Sequence, residues 1–201
     1  MKIVLVGANG TIGSKVAAAL IAQGHELIKV GKRSGDFQVD IEDRASVRSL
    51  YEKIGSFDAV VNASGDVAFA PLSELKEAQW SLSLGSKLMG QIHLVQEAIP
   101  FIRENGSFTL VSGITSEVVI AGGTAATTIS RAIEGFVAGA STELPKGLRI
   151  NVVSPTLLKE SEAIFGPYFP GFIPVEGSRV AQAYVRSVMG VETGKTFKVQ
   201  G

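Results

Sequence analysis

The chain begins with a strand-like segment that leads directly into a glycine-rich turn and then into a helical pattern. Residues 3–6 are all apolar, as in a strand buried on both faces of a parallel sheet. Gly7, Gly10 and Gly13 follow, with two residues between neighbouring glycines. Glycines allow a tight turn and a close approach of backbone to ligand, and the next helix presents free N–H groups to a phosphate. This context predicts a dinucleotide site rather than a glycine-rich turn without a ligand.

Strand-like and helical patterns alternate along the whole chain. The predicted strands cover residues 2–6, 27–31, 57–62, 107–112, 149–153 and 196–199, with 37–40 as a weaker candidate. The predicted helices cover residues 12–23, 45–54, 88–103, 125–144 and 175–189. This order predicts an α/β fold with a Rossmann-like, doubly wound parallel sheet in three layers, α/β/α. No change in composition marks a boundary, so residues 1–201 are expected to form a single domain.

Composition limits the classes of partner and site. Lys+Arg and Asp+Glu each number 19, so no overall charge favours nucleic acid or an anionic membrane. Cysteine is absent and only His25 and His93 could contribute imidazole, so we expect no metal site and structural roles for both histidines. The first strand begins at residue 2, which leaves no room for a signal peptide, and no apolar run spans a bilayer. A cytoplasmic protein is therefore expected.

The segment after the second predicted strand bears on the type of nucleotide. Only five residues separate Gly31 from Phe37, whereas a parallel crossover normally needs about a dozen, so the usual helix is missing or reduced to a turn. An NAD site usually has an acidic residue about 20 positions beyond the glycines, on the ribose 2′-OH. Here the chain has Lys32 and Arg33, which could hold the 2′-phosphate of NADP. The prediction is NADP(H) over NAD(H); the alternative is two solvated surface cations.

Taken in order, the motifs resemble those of the short-chain dehydrogenase/reductase family over nearly the whole chain. The glycine turn at 7–13 is similar to its cofactor turn, and Asp40-Ile41 to a pair that contacts the adenine. Residues 62–65 are similar to its Asn-Asn-Ala-Gly segment, and residues 147–155 to a stretch near the nicotinamide. The resemblance implies these cofactor-binding residues: Gly7, Asn9, Gly10, Thr11, Ile12, Gly13, Lys32, Arg33, Asp40, Ile41, Asn62, Ala63, Ser64, Pro155 and Thr156.

The catalytic pair of that family is absent. The family uses Tyr-x-x-x-Lys to transfer a proton at the substrate oxygen, and a serine to hold that oxygen. None of the three tyrosines, at positions 51, 168 and 184, has a lysine four residues later. The matching positions are Ala126 for the tyrosine, Ser130 for the lysine and Gly113 for the serine. Loss of the proton donor is expected to cost roughly 10²–10⁴-fold in rate unless another group replaces it.

Three residues are candidates for the missing chemistry. Ser112 stands beside the serine position. Lys87 lies near the position of the family's asparagine and its pKa would fall on burial, although a solvated lysine is the favoured alternative. Tyr168 belongs to an aromatic segment, residues 165–172, where the family has a substrate-covering loop. It could donate a proton from an apolar lid, although a loop packed on the core is favoured.

Three functions remain open from the sequence. The first is an oxidoreductase acting on a small carbonyl or alcohol with an altered active site. The second is a catalytically inactive protein that binds or senses NADP(H), and the third is a structural homologue without a nucleotide, against which the three glycines argue. The resemblance also implies a homodimer or homotetramer, through the helices at 88–103 and 125–144. The small residues of the latter helix could equally pack against the sheet.

Overall fold

The sheet contains seven parallel strands in the order β3-β2-β1-β4-β5-β6-β7, in a computed structural model that describes residues 1–201. The strands are β1 (Lys2–Val6), β2 (Glu26–Gly31), β3 (Phe37–Gln38), β4 (Phe57–Asn62), β5 (Ile102–Val111), β6 (Arg149–Pro155) and β7 (Thr196–Val199). Strand order reverses beside β1, and ligands bind at the carboxyl ends of strands at such a point. The predicted doubly wound parallel sheet is confirmed.

Helices cover both faces of the sheet. They are α1 (Thr11–Ala22), α2 (Arg44–Ile54), α3 (Glu77–Leu82), α4 (Gly90–Ala98), α5 (Thr124–Glu143), α6 (Glu162–Phe165) and α7 (Gly177–Met189). Side chains alternate along β1, so Ile3 and Leu5 pack with α1 and α7, while Val4 and Val6 face the opposite core. That second core contains side chains from α2, α4 and α5. None of these helices combines the length and the apolar character that spanning a bilayer requires.

The largest difference from the sequence prediction concerns the helix expected at 88–103. Helical structure begins at Glu77 with α3, continues through a π-helical segment at Ser83–Met89, and ends with α4 at Ala98. Residues 102 and 103 already belong to β5, which pairs with β4 through an irregular register. Asn105 has a φ of +59°, and the residues around it are polar. The sequence therefore shows no apolar run at the point where β5 begins.

The connection between β2 and β3 is a turn, as its length predicted. Asp36 accepts a hydrogen bond from the Lys29 N–H at 2.8 Å, and its own N–H donates to the Lys29 carbonyl at 2.7 Å. Gly35 has a φ of +119°, a region that favours glycine. The weak strand candidate at 37–40 is reduced to two residues, Phe37–Gln38. This edge of the sheet therefore has no covering helix between β2 and β3.

A buried carboxylate joins α2 to α4. Glu97 is 4% exposed and accepts hydrogen bonds from Nε of Arg44 at 2.5 Å and Nε of Arg48 at 2.7 Å. These bonds hold the pKa of Glu97 below its ordinary value.

Replacing Glu97 by glutamine is expected to lower the free energy of unfolding by about 2 kcal/mol at pH 7. Because the folded pKa is lowered, the contribution of the carboxylate is complete above its unfolded pKa and is lost as the pH falls through the folded value. The difference between the proteins should therefore shrink in urea titrations at pH 4. The exposed Glu104→Gln change is the control and should shift stability by less than about 0.5 kcal/mol.

Candidate functional site

The glycine turn closes against the start of α1 with no room for side chains at two positions. Gly7 has a φ of +80°, and a Cβ there would lie 2.9 Å from the backbone of Ala63. A Cβ at Gly13 would lie 1.9 Å from the Gly7 carbonyl oxygen. No side chain caps α1 at Gly10, and no acidic residue occupies its first turn. The first N–H groups of the helix, from Thr11 onward, are therefore available to an anionic group.

A polar cleft of about 450 Å³, including its open mouth, lies on one side of this turn, and its lining includes Gly31, Asp40, Ile41 and Ser64. Lys32 reaches across it, with Nζ 3.1 Å from the Asp40 carboxylate and 3.8 Å from that of Glu42. The hydrogen bond to Asp40 raises the pKa of Lys32.

The neighbouring Arg33 has an exposed side chain and forms no ion pair. The Nδ2 of Asn9 donates to Ser34 Oγ at 2.8 Å, which ties the turn after β2 to the glycine turn. The sequence predicted the same role for Lys32 and Arg33, but their surroundings differ. Lys32 is paired with two carboxylates, whereas Arg33 has no acidic partner.

The end of β4 is held rigidly beneath the glycine turn. The Oδ1 of the fully buried Asn62 accepts from Ser64 Oγ at 2.7 Å, and its Nδ2 donates to the Ser64 carbonyl at 3.0 Å. The hydroxyl of Tyr184 donates to the Asn62 carbonyl at 3.0 Å. These bonds fix the segment that contains Ala63, on which the glycine turn packs at Gly7.

A second, mainly apolar pocket lies on the other side of the turn and measures about 730 Å³ including its open mouth. Ile12, Pro155 and Thr156 form its wall next to the glycine turn. Phe69, Phe165 and Phe169 contribute aromatic rings to the lining. Two side chains of the aromatic segment therefore line this pocket, and Phe169 also packs with Ile114 and Leu157, as in the favoured alternative of a core-packed loop.

The positions matched to the family's catalytic residues all line this second pocket. Gly113 follows β5 by two residues, and Ala126 and Ser130 lie one turn apart on α5. Ser130 is hydrogen-bonded to Thr115, with 3.3 Å between the two hydroxyl oxygens. The pocket therefore lies where the resemblance would place an active site, and α5 contributes neither a tyrosine nor a lysine to its lining.

Lys87 is the only charged residue that lines the pocket. It projects from the π-helical segment, and its side chain packs on Gly65, where a Cβ would lie 2.9 Å from Lys87 Cδ. Burial lowers the pKa of Lys87 to about 8, although nearby Asp66 opposes the shift. The fully buried Gln91 fixes the segment, because its Nε2 donates to the carbonyls of Lys87 at 2.8 Å and Val111 at 2.9 Å.

The favoured expectation of a solvated Lys87 is therefore met only in part, because the residue is half-buried and its side chain lines the pocket and packs on Gly65. Sequence reasoning also missed the π-helical segment and Gln91. A single wide turn leaves no repeating pattern, so the sequence carries no signal for it.

The other two catalytic candidates are placed less favourably. Ser112 lines the pocket, but its hydroxyl donates to Glu134 at 2.8 Å. Tyr168 does not line the pocket; its ring packs on Phe69, with 5.4 Å between ring centroids. The suggestion that Tyr168 could replace the missing proton donor is thus not supported, because its ring belongs to the outer aromatic packing.

The remaining tyrosines and both histidines also lie elsewhere. Tyr51 and Tyr184 are fully buried and donate to backbone carbonyls, and burial raises the pKa of each. His25 contacts the sulfur of Met189 at 3.1 Å, and His93 Nδ1 lies 3.0 Å from the Ile41 carbonyl oxygen. No group of three or more His, Cys, Asp or Glu side chains could hold a metal ion. None of these rings reaches the pocket.

Known proteins resemble this chain in sequence over most of its length. A family profile described as enoyl-(acyl carrier protein) reductase matches residues 3–172. An uncharacterized oxidoreductase of Methylorubrum extorquens is 25% identical over 175 residues, which cover 76% of this chain and 71% of the relative. Another, from Staphylococcus aureus, is 22% identical over 189 residues, covering 83% and 81%.

Solved structures resemble the chain over almost its full length. The protein lin1944 of Listeria innocua is 43% identical, with a TM-score of 0.96 and 99% coverage of both chains. A small-chain dehydrogenase solved in complex with NADPH is 24% identical and shares the fold, with a TM-score of 0.90 and coverage of 100% and 96%. With the family profile spanning most of the sequence, the expected membership is confirmed: the chain belongs to the short-chain dehydrogenase/reductase family of NAD(P)-dependent oxidoreductases.

Proposed function

We propose that the protein is an NADP(H)-dependent oxidoreductase that reduces a small carbonyl compound, with Lys87 as the proton donor in place of the family's tyrosine. The observation that carries this proposal is the position of Lys87, the only charged residue lining the apolar pocket beside the glycine turn. The pocket also includes Ala126, which stands at the tyrosine position and has no proton to donate. A proton donor must come from elsewhere, and Lys87 meets that need.

The residues present fit a dinucleotide. The glycine turn excludes side chains at Gly7 and Gly13, and the uncapped start of α1 suits a pyrophosphate. Asp40 and Ile41 would hold the adenosine part in the polar cleft, and Pro155 with Thr156 would lie beside the nicotinamide. When bound, the reduced nicotinamide supplies the hydride that the carbonyl carbon accepts.

The chain's own contribution to the reaction is proton transfer and exclusion of water. With its pKa lowered to about 8, Lys87 is protonated at pH 7 yet is a far better acid than an ordinary lysine. Its Nζ donates one proton to the substrate oxygen as the carbon is reduced, which gives an alcohol and a neutral amine. Solvent protons then restore the ammonium group. The aromatic side chains of Phe69, Phe165 and Phe169 limit water around the reacting oxygen.

The preference for NADP(H) is carried by Arg33 and supported by the solved relative with NADPH, whose bound cofactor is a property of that protein. Arg33 is free of acidic partners, and Lys32 offsets the negative charge of Asp40 and Glu42. Arg33 is therefore the cation of this turn that remains available to a 2′-phosphate.

Replacing both Lys32 and Arg33 by alanine is expected to weaken NADPH binding at least about tenfold and NADH binding by less than about threefold. Fluorescence titration of each nucleotide measures the two dissociation constants. Lys53→Ala, an exposed change on α2, serves as the control for a lost surface charge. Equal losses for the two nucleotides would contradict the preference for NADP(H).

The proposed reaction is tested in two steps, with NADPH titration first and then NADPH oxidation at 340 nm with a panel of aldehydes and ketones. The expected result is tight NADPH binding and turnover of at least one carbonyl compound. Binding without turnover across the panel favours the second function, an inactive NADP(H) sensor. The engagement of Ser112 by Glu134 and the absence of a tyrosine in the pocket are the observations that keep this alternative open.

A homodimer or homotetramer is part of the same proposal, because α5 carries an open small-residue face. A Cβ at Gly135 or Gly139 would meet no atom within 4 Å, so another helix can approach closely there. The cytoplasmic location expected from the sequence stays a prediction.

A further inference from the structure

We propose that the hydroxyls of Thr115 and Ser130 form a single anchor for the oxygen of an uncharged carbonyl substrate. This inference rests on the proposed function and names the substrate class of the same pocket. Both residues line the pocket, and both are buried, with exposures of 4% and 5%. Thr115 belongs to a short helical turn after β5, and Ser130 comes from α5, so two separate elements bring the hydroxyls together.

The hydrogen bonding of the pair leaves one proton free. The two oxygens lie 3.3 Å apart, which is longer than the usual 2.7–2.8 Å for hydroxyl groups, and either can be the donor. Because one hydroxyl donates to the other, the second keeps a proton that no other group in the structure accepts. A buried donor without an acceptor is unfavourable, so a ligand oxygen that accepts this proton gains stability.

The Thr115–Ser130 pair also lies next to Gly113, the position that matches the family's serine. Gly113 stands at the serine position and has extended backbone, with a φ of −171° that any residue can adopt. A Cβ built there would lie 3.6 Å from Ser130 Oγ and 3.7 Å from Thr115 Oγ1, ordinary contact distances. The hydroxyl missing at position 113 is therefore replaced by hydroxyls from two neighbouring positions.

The remaining walls define the class of substrate. Ten of the 18 residues that line the pocket are hydrophobic, and the one charged residue, Lys87, is needed for proton transfer. A substrate that brought a carboxylate into these walls would lose its hydration without a second cation to compensate. The pocket therefore fits an aryl or alkyl aldehyde or ketone that carries no charge.

The test uses benzamide, an uncharged compound with a carbonyl oxygen that NADPH does not reduce. Benzamide is titrated by calorimetry into the NADP⁺ complex of the wild type and of Thr115→Val/Ser130→Ala. The double variant is expected to bind it about tenfold more weakly, the factor that a lost net hydrogen bond contributes. Thr128→Val is the matched control, because Thr128 is exposed on α5 and donates to the Thr124 carbonyl. Unfolding midpoints and NADP⁺ affinity show that each variant is folded.

A rescue variant separates a lost donor from altered packing. Adding Gly113→Ser to the double variant is expected to restore benzamide binding, because its hydroxyl would enter the vacated space. Undiminished binding by the double variant, or a loss that Gly113→Ser does not restore, overturns the anchor. Failure of the wild type to bind benzamide also overturns it, as does a lower KM for 4-carboxybenzaldehyde than for benzaldehyde.

Failure of the proposed function gives a different result. A protein that binds benzamide through this pair but oxidises no NADPH retains the anchor and loses the reductase assignment. If no nucleotide binds, the same benzamide titrations on the protein alone test the anchor directly.

Discussion

Replacing Lys87 by methionine is expected to lower kcat for carbonyl reduction by roughly 10²–10⁴-fold, the usual contribution of a general acid. Methionine has a similar length but no proton to donate, so the loss should appear in kcat, with little change in NADPH affinity. Steady-state kinetics and NADPH titration measure the two effects. Lys87→Arg should also be slow, because a guanidinium group keeps its proton at neutral pH. The exposed Lys53→Met change controls for general loss of charge.

The pH dependence gives an independent test of Lys87. Since burial lowers its pKa to about 8, the ammonium form predominates below that pH and disappears above it. The reduction rate of the wild type should therefore be constant near pH 7 and fall as the pH rises through about 8, whereas alcohol oxidation should rise over the same interval. The methionine variant should lose this inflection. A wild-type profile that is flat from pH 6 to 10 would falsify the assignment of the proton to Lys87.

Replacing Gly13 by alanine is expected to destabilise the protein by at least about 3 kcal/mol and to abolish NADPH binding. The added methyl group would lie 1.9 Å from the Gly7 carbonyl oxygen, 2.7 Å from its carbonyl carbon and 3.0 Å from Ala8 Cα. All three atoms belong to the backbone, so relief requires α1 to move away from the turn. Thermal unfolding and fluorescence titration measure the two losses.

Gly10 supplies the matched control for this change. A Cβ at Gly10 would lie 3.4 Å from its nearest neighbour, the Gly7 carbonyl oxygen, and the φ of −77° at this position suits any residue. Gly10→Ala should therefore remain folded, with a change in stability of less than about 1 kcal/mol. Equal destabilisation by the two changes would show that close packing of Gly13 on the turn is not the cause.

Features encoded in short stretches of sequence were predictable. Apolar runs located the strands to within a few residues in most cases, and the short segment before Phe37 predicted the missing crossover helix. The start of β5 was not predictable, because Ile102 joins the sheet only through the irregular pairing with β4. Periodicity therefore located the elements, while their ends depend on neighbouring strands.

The candidate site likewise combines features that the sequence predicts with features that it does not. The glycine turn and the absence of Tyr-x-x-x-Lys are visible in the sequence, because both depend on spacing alone. The partial burial of Lys87 depends on the π-helical turn and on Gln91, which contacts β5 from a distance of 20 residues along the chain. The pairing of Lys32 with Asp40 likewise joins the segments that follow β2 and β3. Such contacts exist only after the sheet is assembled.

The two-residue strand β3 has a consequence for the behaviour of the protein at high concentration. A long edge strand offers unpaired N–H and C=O groups on which another chain can add, and proteins avoid this by shortening or charging such edges. Here the edge beside β2 ends after Phe37–Gln38, next to a turn held by Asp36. Because β3 pairs only with Val30 and Gly31, residues 26–28 of β2 keep an unpaired edge, beside which the charged side chains of Glu26 and Lys29 oppose the addition of a strand from another molecule.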